Sequence, residues 1–584
     1  MNSAQDPFDR SLPSPLAALA ALRAAGEDSV VATDRLSTRQ RAMYVRTRVD
    51  EELAREIQTS GWLRLVLLTG SAGGGKSALI RQLKDGLPPG TLTRVVEDAT
   101  HADSPNKRQT ERLAGVLAGF QSGVPPHGDI TVIAANTGLL LELHREFAEH
   151  GQEALASVVA YALEVLGVPG RRPLGQDRRA ELADAVLVVD LDQRPTSGGE
   201  QHLLRRMLRS LDPSDPKGVL EGAERCRTCT VAGWCAPRTN AELLADDRIG
   251  KSLDEAVEQI ALRRGRDVAP RQLWDAVGEL ALGGISLEGD PCDAVARIAH
   301  REDAAAVWQA LLPNGALAAP QGDLTRELAD LDPSYRPSDE AHAVMAAVGI
   351  APQEDAQGLE RLLAAPEGQR LAVRTAARAL REGSTEEAAR GLVRAHWLCG
   401  RITLDSVIPA AFEEALAGAA DAEDQLIDVA CQGLVSAFGR EAEHKAYLPT
   451  ESLAESREAR VLVQIDLDRE VELLEDRARK LNPRGSAVVG LRPLAARLRI
   501  GRSVVRLDLP LYRLLEAASQ GALAATVDVE RFHALRYAAE RLGRSAAEHQ
   551  DRPLLVTYDG QGAAFVVAQT SRRGQQRLKI EKVA

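Results

Sequence analysis

The sequence has little that would suit a secreted, membrane-bound or nucleic-acid-coating protein. Its six cysteines in 584 residues are too few for a disulfide framework. No run of about 18 apolar residues is free of charge, and Asp6 and Asp9 stand where a secretory signal would be basic. Acidic residues outnumber basic ones, 84 to 72, so the formal charge of -12 argues against coating of nucleic acid by net charge alone. These absences predict a cytoplasmic protein that reaches DNA only locally or through partners.

The length and the order of apolar runs predict several domains around one α/β core. Four short apolar runs separated by helical patterns predict a mostly parallel sheet covered on both faces. The runs are LRLVLLT from 63, RVVED from 94, ITVIAAN from 130 and AVLVVDLD from 185. The predicted segments are an N-terminal helical segment at 1–60, a core at 61–240, a helical lid at 241–300, a helical middle domain at 301–455 and a C-terminal α+β domain at 456–584.

Lysine is scarce, with nine among the 72 basic residues, and one of the nine completes a phosphate-binding pattern. The segment GSAGGGKS, Gly70–Ser77, fits GxxxxGK[ST] between a predicted strand and a predicted helix. Glycines let backbone N–H groups curl around a phosphate, and the helix N-terminus adds its positive dipole end. We expect Lys76 to act on the β/γ-phosphate oxygens of ATP and Ser77 to bind Mg²⁺. The predicted nucleotide contacts are Gly70, Ser71, Gly73, Gly74, Gly75, Lys76, Ser77 and Ala78.

Hydrolysis also requires an acidic residue near the metal and a group that orients the attacking water. Glu97 and Asp98 end the second predicted strand, and Asp190 and Asp192 end the fourth. The third strand, where many P-loop ATPases carry an acidic pair, ends in Asn136 instead. We expect Asp98 to lie in the Mg²⁺ shell and Glu97 or Asp190 to activate water. Asn136 is predicted to sense the γ-phosphate.

An arginine in the predicted lid is a further candidate. Arg271, in VAPRQL, begins a helix after the core, where many AAA+ ATPases place an arginine that reaches the phosphates. An arginine acting across subunits of a homo-oligomer is also possible in this class. The sequence does not rank the candidates for that role, which are Arg205, Arg206 and Arg209.

Three of the six cysteines crowd into ten residues. Cys226 and Cys229 form a CxxC turn and Cys235 follows after five residues. Two thiolates of a CxxC turn can grip one Zn²⁺, and a third could supply another of its four tetrahedral ligands. His202 and Cys292 are both candidates for the fourth ligand, and an iron–sulfur cluster is an alternative to zinc. The cluster predicts a structural metal at the junction of core and lid.

Several stretches, in order, resemble the DptF family, the ATP-binding members of the bacterial restriction systems that depend on DNA phosphorothioation. GSAGGGKS is the most specific of them, and Gly74 is a departure because the family often has aspartate there. The others are Tyr44–Leu53, Asp98–His101, Ala134–Gly138, Cys226–Asn240, PRQLWDAVGELALGG, Asp332–Pro333 and LDLPLYRLLEAASQG.

The resemblance implies a P-loop NTPase of AAA+ or STAND type that hydrolyses Mg–ATP as a nucleotide switch. It also implies helicase-like and accessory partner subunits, with which the chain would restrict phage or other DNA that lacks phosphorothioate modification. Two other hypotheses stay open. One is a STAND or AAA+ signalling ATPase unrelated to restriction, and the other is a non-catalytic scaffold stabilised by nucleotide, which the absence of an acidic pair after the third strand favours.

Overall fold

The chain forms two compact units in a computed structural model. Unit 1 comprises residues 1–261, 267–407 and 481–491, and unit 2 comprises 262–266, 408–480 and 492–584. The predicted core, lid and most of the middle segment therefore share unit 1. The structure describes residues 7–23, 38–97, 109–125, 129–168, 174–285, 288–336, 338–364, 370–381, 385–404, 408–451, 459–475, 480–522, 529–548, 552–558, 564–572 and 575–583.

Unit 1 contains a four-stranded sheet in which every pairing is parallel. The strands stand in the order β2-β3-β1-β4. This confirms the predicted α/β class and the parallel sheet. The strands are β1 (Leu65–Thr69), β2 (Leu92–Val96), β3 (Ile130–Ala134) and β4 (Val186–Asp190).

Helices cover both faces of this sheet and build the rest of unit 1. The last turn of α11 runs into the five-residue piece assigned to unit 2. The helices are α1 (Pro15–Ala21), α2 (Thr38–Met43), α3 (Arg48–Thr59), α4 (Lys76–Gly86), α5 (Gln109–Val116), α6 (Thr137–Glu149), α7 (Glu153–Val165), α8 (Gln176–Ala185), α9 (Leu203–Arg209), α10 (Ala236–Ala245), α11 (Asp247–Arg264), α12 (Pro270–Leu282), α13 (Pro291–His300), α14 (Ala304–Ala310), α15 (Gly315–Ala318), α16 (Asp323–Ala329), α17 (Asp339–Ala347), α18 (Pro352–Leu362), α19 (Leu371–Ala379), α20 (Thr385–Leu398) and, later in the chain, α24 (Pro483–Val489).

The apolar runs of the strands explain why the sheet is buried on both sides. Successive side chains of a strand point to opposite faces, and Leu65 and Leu67 pack in one core while Val66 and Leu68 pack in the other. The first core lies against α5 to α8, and the second contains residues of α3, α4 and α24. A strand that is apolar on both faces gains from burial only in such a three-layer arrangement.

The helical part of unit 1 has one continuous core that extends from Leu16 to Leu404. One buried polar side chain inside it, Asn240, has both kinds of partner: it donates to the carbonyl of Ala310 at 2.8 Å and accepts from the N–H of Leu312 at 2.7 Å. Because the same apolar cluster spans residues on both sides of position 300, the lid and the middle segment as far as Leu404 pack as a single body.

Unit 2 is an α+β body with two antiparallel sheets, ordered β13-β12-β11-β7-β6-β5 and β10-β9-β8. Residues 440–449, which the sequence pattern assigned to helix, form a hairpin because Glu443 and His444 both adopt positive φ angles, 51° and 59°, between two strands. The strands are β5 (Arg440–Ala442), β6 (Lys445–Pro449), β7 (Ala459–Ile465), β8 (Val471–Leu473), β9 (Ala495–Ile500), β10 (Ser503–Asp508), β11 (Leu554–Tyr558), β12 (Ala564–Arg572) and β13 (Gln575–Val583). The helices are α21 (Ala410–Ala417), α22 (Ala420–Phe438), α23 (Leu467–Glu470), α25 (Leu509–Ser519) and α26 (Val529–Ala547).

Short 3₁₀ turns connect several of these elements. Within the described ranges, no helix has the length and apolar character needed to cross a membrane. The 3₁₀ turns are Ala118–Phe120, Leu191–Gln193, Ala223–Arg227, Ala232–Trp234 and Pro333–Tyr335.

Candidate functional site

The glycine-rich loop, residues 70–75, joins the central strand β1 to helix α4 at the carboxyl edge of the parallel sheet. The carboxyl ends of parallel strands lie along one edge, where ligands of open α/β sheets bind. Glu97 follows β2, Asn136 follows β3 and Asp190 ends β4. The sheet therefore brings to one edge the polar side chains that the sequence pattern singled out.

Three glycines hold the loop in a conformation that other residues rarely adopt. Gly70, Gly73 and Gly75 have φ angles of 134°, 79° and 88°. Gly75 directly precedes the first residue of α4 and caps it in the left-handed region. Because the first backbone N–H groups of a helix have no partner within the helix, this turn aims N–H groups outward at the start of α4.

Lys76 and Ser71 bind within the loop and to a neighbouring acid. The Lys76 ammonium donates to the carbonyl oxygens of Gly70 and Ser71, each at 2.8 Å. The Ser71 backbone N–H and hydroxyl both donate to the Asp192 carboxylate, at 2.8–2.9 Å. The Asp192 carboxylate therefore occupies the Ser71 N–H, a hydrogen-bond donor that an anionic ligand could use in its place.

Ser77, the second residue of α4, contacts Glu97, which follows β2 and is held by two cations. The Ser77 hydroxyl donates to the backbone carbonyl of Glu97 at 3.2 Å. The Glu97 carboxylate binds Arg81 at 2.8 Å and Lys84 at 3.0 Å. Burial acts to raise the pKa of Glu97, but the bonds from Arg81 and Lys84 outweigh it and lower that pKa. Glu97 is therefore an ionised partner of α4.

Asp190 has the opposite electrostatics. Burial, and next the nearby Asp192 carboxylate, raise the pKa of Asp190 from its ordinary 3.8 to about 6. Its side chain accepts the backbone N–H of Asp192 at 3.2 Å, and β4 pairs directly with β1 so that Asp190 stands opposite Thr69. A carboxyl beside the loop with a pKa near the physiological range can accept a proton from water.

Two arginines reach the glycine-rich loop from other elements. Arg271, at the start of α12, lies so close that a Cβ at Gly73 would come within 2.9 Å of the Arg271 Cβ. Arg194, which follows β4 and is 7% exposed, donates to the Gly74 carbonyl at 3.4 Å. Burial lowers the pKa of Arg194, and the charges of Tyr44 and Asp50 are the largest that oppose this. Its Nε has no hydrogen-bond partner in the part of the chain that the structure describes.

The structure gives other sequence candidates structural partners. The Asn136 side chain caps α6 by accepting the Leu139 N–H at 2.8 Å. Arg205 and Arg209 both bind Asp247 at 3.0 Å. Arg206 donates to the carbonyl of Arg46. The remaining candidate for the Mg²⁺ shell, Asp98, lies outside the described residues, as does His101 of the DATH segment.

The three clustered cysteines line one small cavity, together with Cys292 from the start of α13. His202 is not part of that lining, since its Nδ1 hydrogen-bonds the Ser197 carbonyl at 2.7 Å. Among the residues that can be described, no three or more His, Cys, Asp or Glu side chains are arranged to hold a metal ion.

Reasoning from the sequence missed the role of the segment after β4. The sequence pattern marks Asp192 only as a strand-end acid and does not mark Arg194, yet both contact the loop. The sequence does contain a local indication of this role, because the buried run of β4 ends in the polar stretch D-L-D-Q-R. Since β4 pairs with β1, the residues that follow β4 lie at the same edge of the sheet as the loop that follows β1.

Comparison with known proteins gives no relative for this chain: no family model, no curated protein and no solved structure matches it.

Proposed function

We propose that the chain is the Mg–ATP-binding and hydrolysing subunit of a bacterial DNA restriction or antiphage defence complex. The observation that carries the proposal is the loop GSAGGGKS, held between the central strand of a parallel sheet and the N-terminus of α4. A strand, a glycine turn with positive φ angles and a helix that begins at a lysine together meet the needs of phosphate binding.

On binding, the phosphates would replace hydrogen-bond partners that the residues of the loop have within the chain. Lys76 would transfer its ammonium from the carbonyl oxygens of Gly70 and Ser71 to the β/γ-phosphate oxygens. Asp192 would release the Ser71 N–H, because two anions cannot share it. Arg194 and Arg271 supply positive charge at the loop, which compensates the charge of the bound triphosphate.

We expect a Mg²⁺ ion to bind beside Ser77. Mg²⁺ keeps several waters, takes one or two protein oxygens in addition to phosphate oxygens, and neutralises charge that develops during transfer. Ser77 would contribute its hydroxyl, and Asp98, next to Glu97 in sequence, is the proposed acid of the Mg²⁺ shell.

Asp190 is a better candidate than Glu97 for the group that accepts a proton from water. The Glu97 carboxylate is held by Arg81 and Lys84, whereas Asp190 has a pKa raised to about 6. A base with a pKa near the working pH is the more effective proton acceptor.

The partners follow from the resemblance to the restriction subunits. They would be helicase-like and accessory subunits that engage DNA lacking phosphorothioate modification, with this chain as their nucleotide switch. The formal charge of -12 supports a division of labour in which partners make most DNA contacts.

A nucleotide-stabilised scaffold is the second candidate function. It is favoured by Asn136, which caps α6 where many P-loop ATPases carry an acidic pair, and by the ion pairs of Glu97. Such a chain would bind ATP and Mg²⁺ without turning ATP over.

ATP turnover by purified protein, alone and with partner subunits and DNA, tests the proposal. We expect turnover in the wild type and loss of at least tenfold in Lys76→Ala, with Lys251→Ala, a substitution of an exposed lysine, as the matched control. Equal turnover in wild type and Lys76→Ala would contradict the proposal. Tight ATP binding without turnover in every partner combination would select the scaffold.

A further inference from the structure

Four cysteines from two distant stretches of unit 1 line a single small cavity. Cys226 lies in a 3₁₀ turn, Cys229 follows it, Cys235 directly precedes α10 and Cys292 is the second residue of α13. The cavity has a volume of about 20 Å³, which is roughly the space of one water-sized object. Convergence of residues separated by more than fifty positions is not explained by the CxxC pattern alone.

The remaining lining of the cavity is mostly apolar. Phe8, Pro15 and Leu16 of the N-terminal segment close one side, and Val231 and Val295 contribute to the rest. Phe8 is 6% exposed although it lies near the start of the chain. An apolar shell of this kind excludes water and strengthens metal–thiolate bonds.

Two arginines and several N–H groups are placed to stabilise negative sulfur. Arg225 and Arg238 both line the cavity. Four thiolates on a divalent metal carry a net charge of about -2. The two guanidinium groups also bind Asp290 and Glu242, so they would offset only part of that charge. The backbone N–H of Leu16 bonds to the Cys292 thiol, and that of Arg238 bonds to the Cys235 thiol. Cys235 and Cys292 also lie at helix N-termini, where the dipole favours thiolate.

We propose that Cys226, Cys229, Cys235 and Cys292 bind a metal centre through four thiolates, and that this centre fastens the N-terminal segment to the helical part of unit 1. The inference does not depend on the proposed ATPase activity. It adds Cys292 as the fourth ligand, which the sequence could not choose over His202. Thiolate ligands suit a zinc ion and an iron–sulfur cluster alike, and metal analysis distinguishes the two.

The side chains around Cys292 explain how the N-terminal segment would be fastened. Ser14 contacts the Cys292 sulfur at 3.3 Å and donates to Asp290 at 2.6 Å. Arg225 binds Asp290 at 3.2 Å, and its guanidinium lies 4.1 Å from the centre of the Phe8 ring. These contacts form a shell behind the proposed ligands.

The four thiols are not arranged around a single ion in this structure. Metal binding would displace the thiol protons and draw the sulfurs together around one centre, so that formation of the site is coupled to binding.

Metal content of the full-length protein tests the proposal. The chain would be purified without chelator from cells supplied with zinc and iron, and zinc, iron and acid-labile sulfide would be measured per chain. We expect stoichiometric zinc without visible absorbance, or iron and sulfide together with visible absorbance. Protein with neither metal at stoichiometric level would overturn the proposal.

Variants of Cys292 separate a ligand role from packing. Cys292→Ser should reduce bound metal at least tenfold, whereas Cys292→His, which retains a metal-binding donor, should restore part of it. Cys399→Ser is the matched control, because the Cys399 thiol bonds to the Leu362 carbonyl and does not line the cavity. Circular dichroism verifies that each variant is folded. Metal content unchanged in folded Cys292→Ser would exclude Cys292 as a ligand.

Discussion

At the residue scale, the glycine-rich loop depends on a local pattern and on charges that arrive from elsewhere. Gly73 and Gly75 are recognisable in the sequence because the phosphate-binding motif is continuous. Asp192 and Arg194 could not be assigned to the loop, since only the fold brings residues more than a hundred positions away to within contact. Arg271, which the sequence predicts as an arginine that reaches the phosphates, does lie against the loop at Gly73. A motif predicts its own backbone, but not the partners of its side chains.

Gly73→Ala should weaken nucleotide binding and destabilise the protein. The left-handed φ angle of 79° disfavours any side chain, and the new Cβ would lie 2.9 Å from Arg271. We expect a loss of about 1–3 kcal/mol in the free energy of unfolding and at least a tenfold loss of ATP-analogue affinity by calorimetry. Gly90→Ala is the control, because Gly90 has a φ angle of 88° with no atom within 4 Å of its Cβ. Equal analogue affinities in the two variants would refute the role given to the Gly73 contact.

Asp190→Asn should stabilise the protein above about pH 6, and not below pH 4. The folded pKa of about 6 exceeds the ordinary 3.8, so the folded state holds its proton longer than the unfolded state does. Stability contributed by this group is therefore full below pH 3.8 and is lost as the pH rises to about 6. Removing the ionisable group should recover up to about 3 kcal/mol at pH 8.

Urea unfolding of wild type and Asp190→Asn at pH 4 and pH 8 measures this difference. Asp85→Asn, at an exposed position of α4, serves as the control and should show no such gain at high pH. A stability difference between Asp190→Asn and wild type that is the same at both pH values would contradict the raised pKa.

At the element scale, burial on two faces decided which strands the sequence could predict. β1 and β3 are buried along their whole length and read as continuous apolar runs. β9, AARLRI, alternates buried and exposed residues and carries two arginines, so its pattern is weak. β5 and β8 have three residues each, too few for a periodicity to be recognised. Unit 1 was therefore more predictable than unit 2.

The hairpin between β5 and β6 should tolerate, and gain from, turn residues suited to positive φ angles. Glu443 and His444 occupy its two-residue loop with φ angles of 51° and 59°. The double change Glu443→Asn and His444→Gly should raise the free energy of unfolding by about 0.5–2 kcal/mol, because both new residues accept these angles at lower cost.

Thermal unfolding followed by circular dichroism measures the effect of the double change. Glu441→Asn, at an exposed position of β5, is the control and should be neutral or destabilising, since asparagine disfavours strands. A lower melting temperature for the hairpin variant than for the wild type would contradict the turn assignment.

At the scale of the whole molecule, the chain leaves unit 1 and returns to it. The predicted domain boundary at 455/456 does not account for the return of residues 481–491 to unit 1. The reason is that α24 is one short helix within a stretch of sequence whose pattern predicts an α+β domain. Its residues complete the core beneath β4: Val488 and Val489 are 2% and 4% exposed, and the Asn482 side chain donates to the Val188 carbonyl at 2.5 Å. The core of unit 1 is therefore complete only with residues 481–491, which follow most of the residues of unit 1 in the sequence.

A chain ending at residue 480 should accordingly be less stable than one ending at residue 492, because the two chains differ only in residues 481–492, which contain α24. Loss of two buried valines and one buried hydrogen bond should cost about 3–6 kcal/mol. All five tryptophans lie in unit 1, so tryptophan fluorescence during urea unfolding reports on this unit. Identical urea midpoints for the two truncated chains would mean that α24 adds no stability, whereas a lower midpoint for the shorter chain would show that α24 completes the core beneath the sheet that carries the glycine-rich loop.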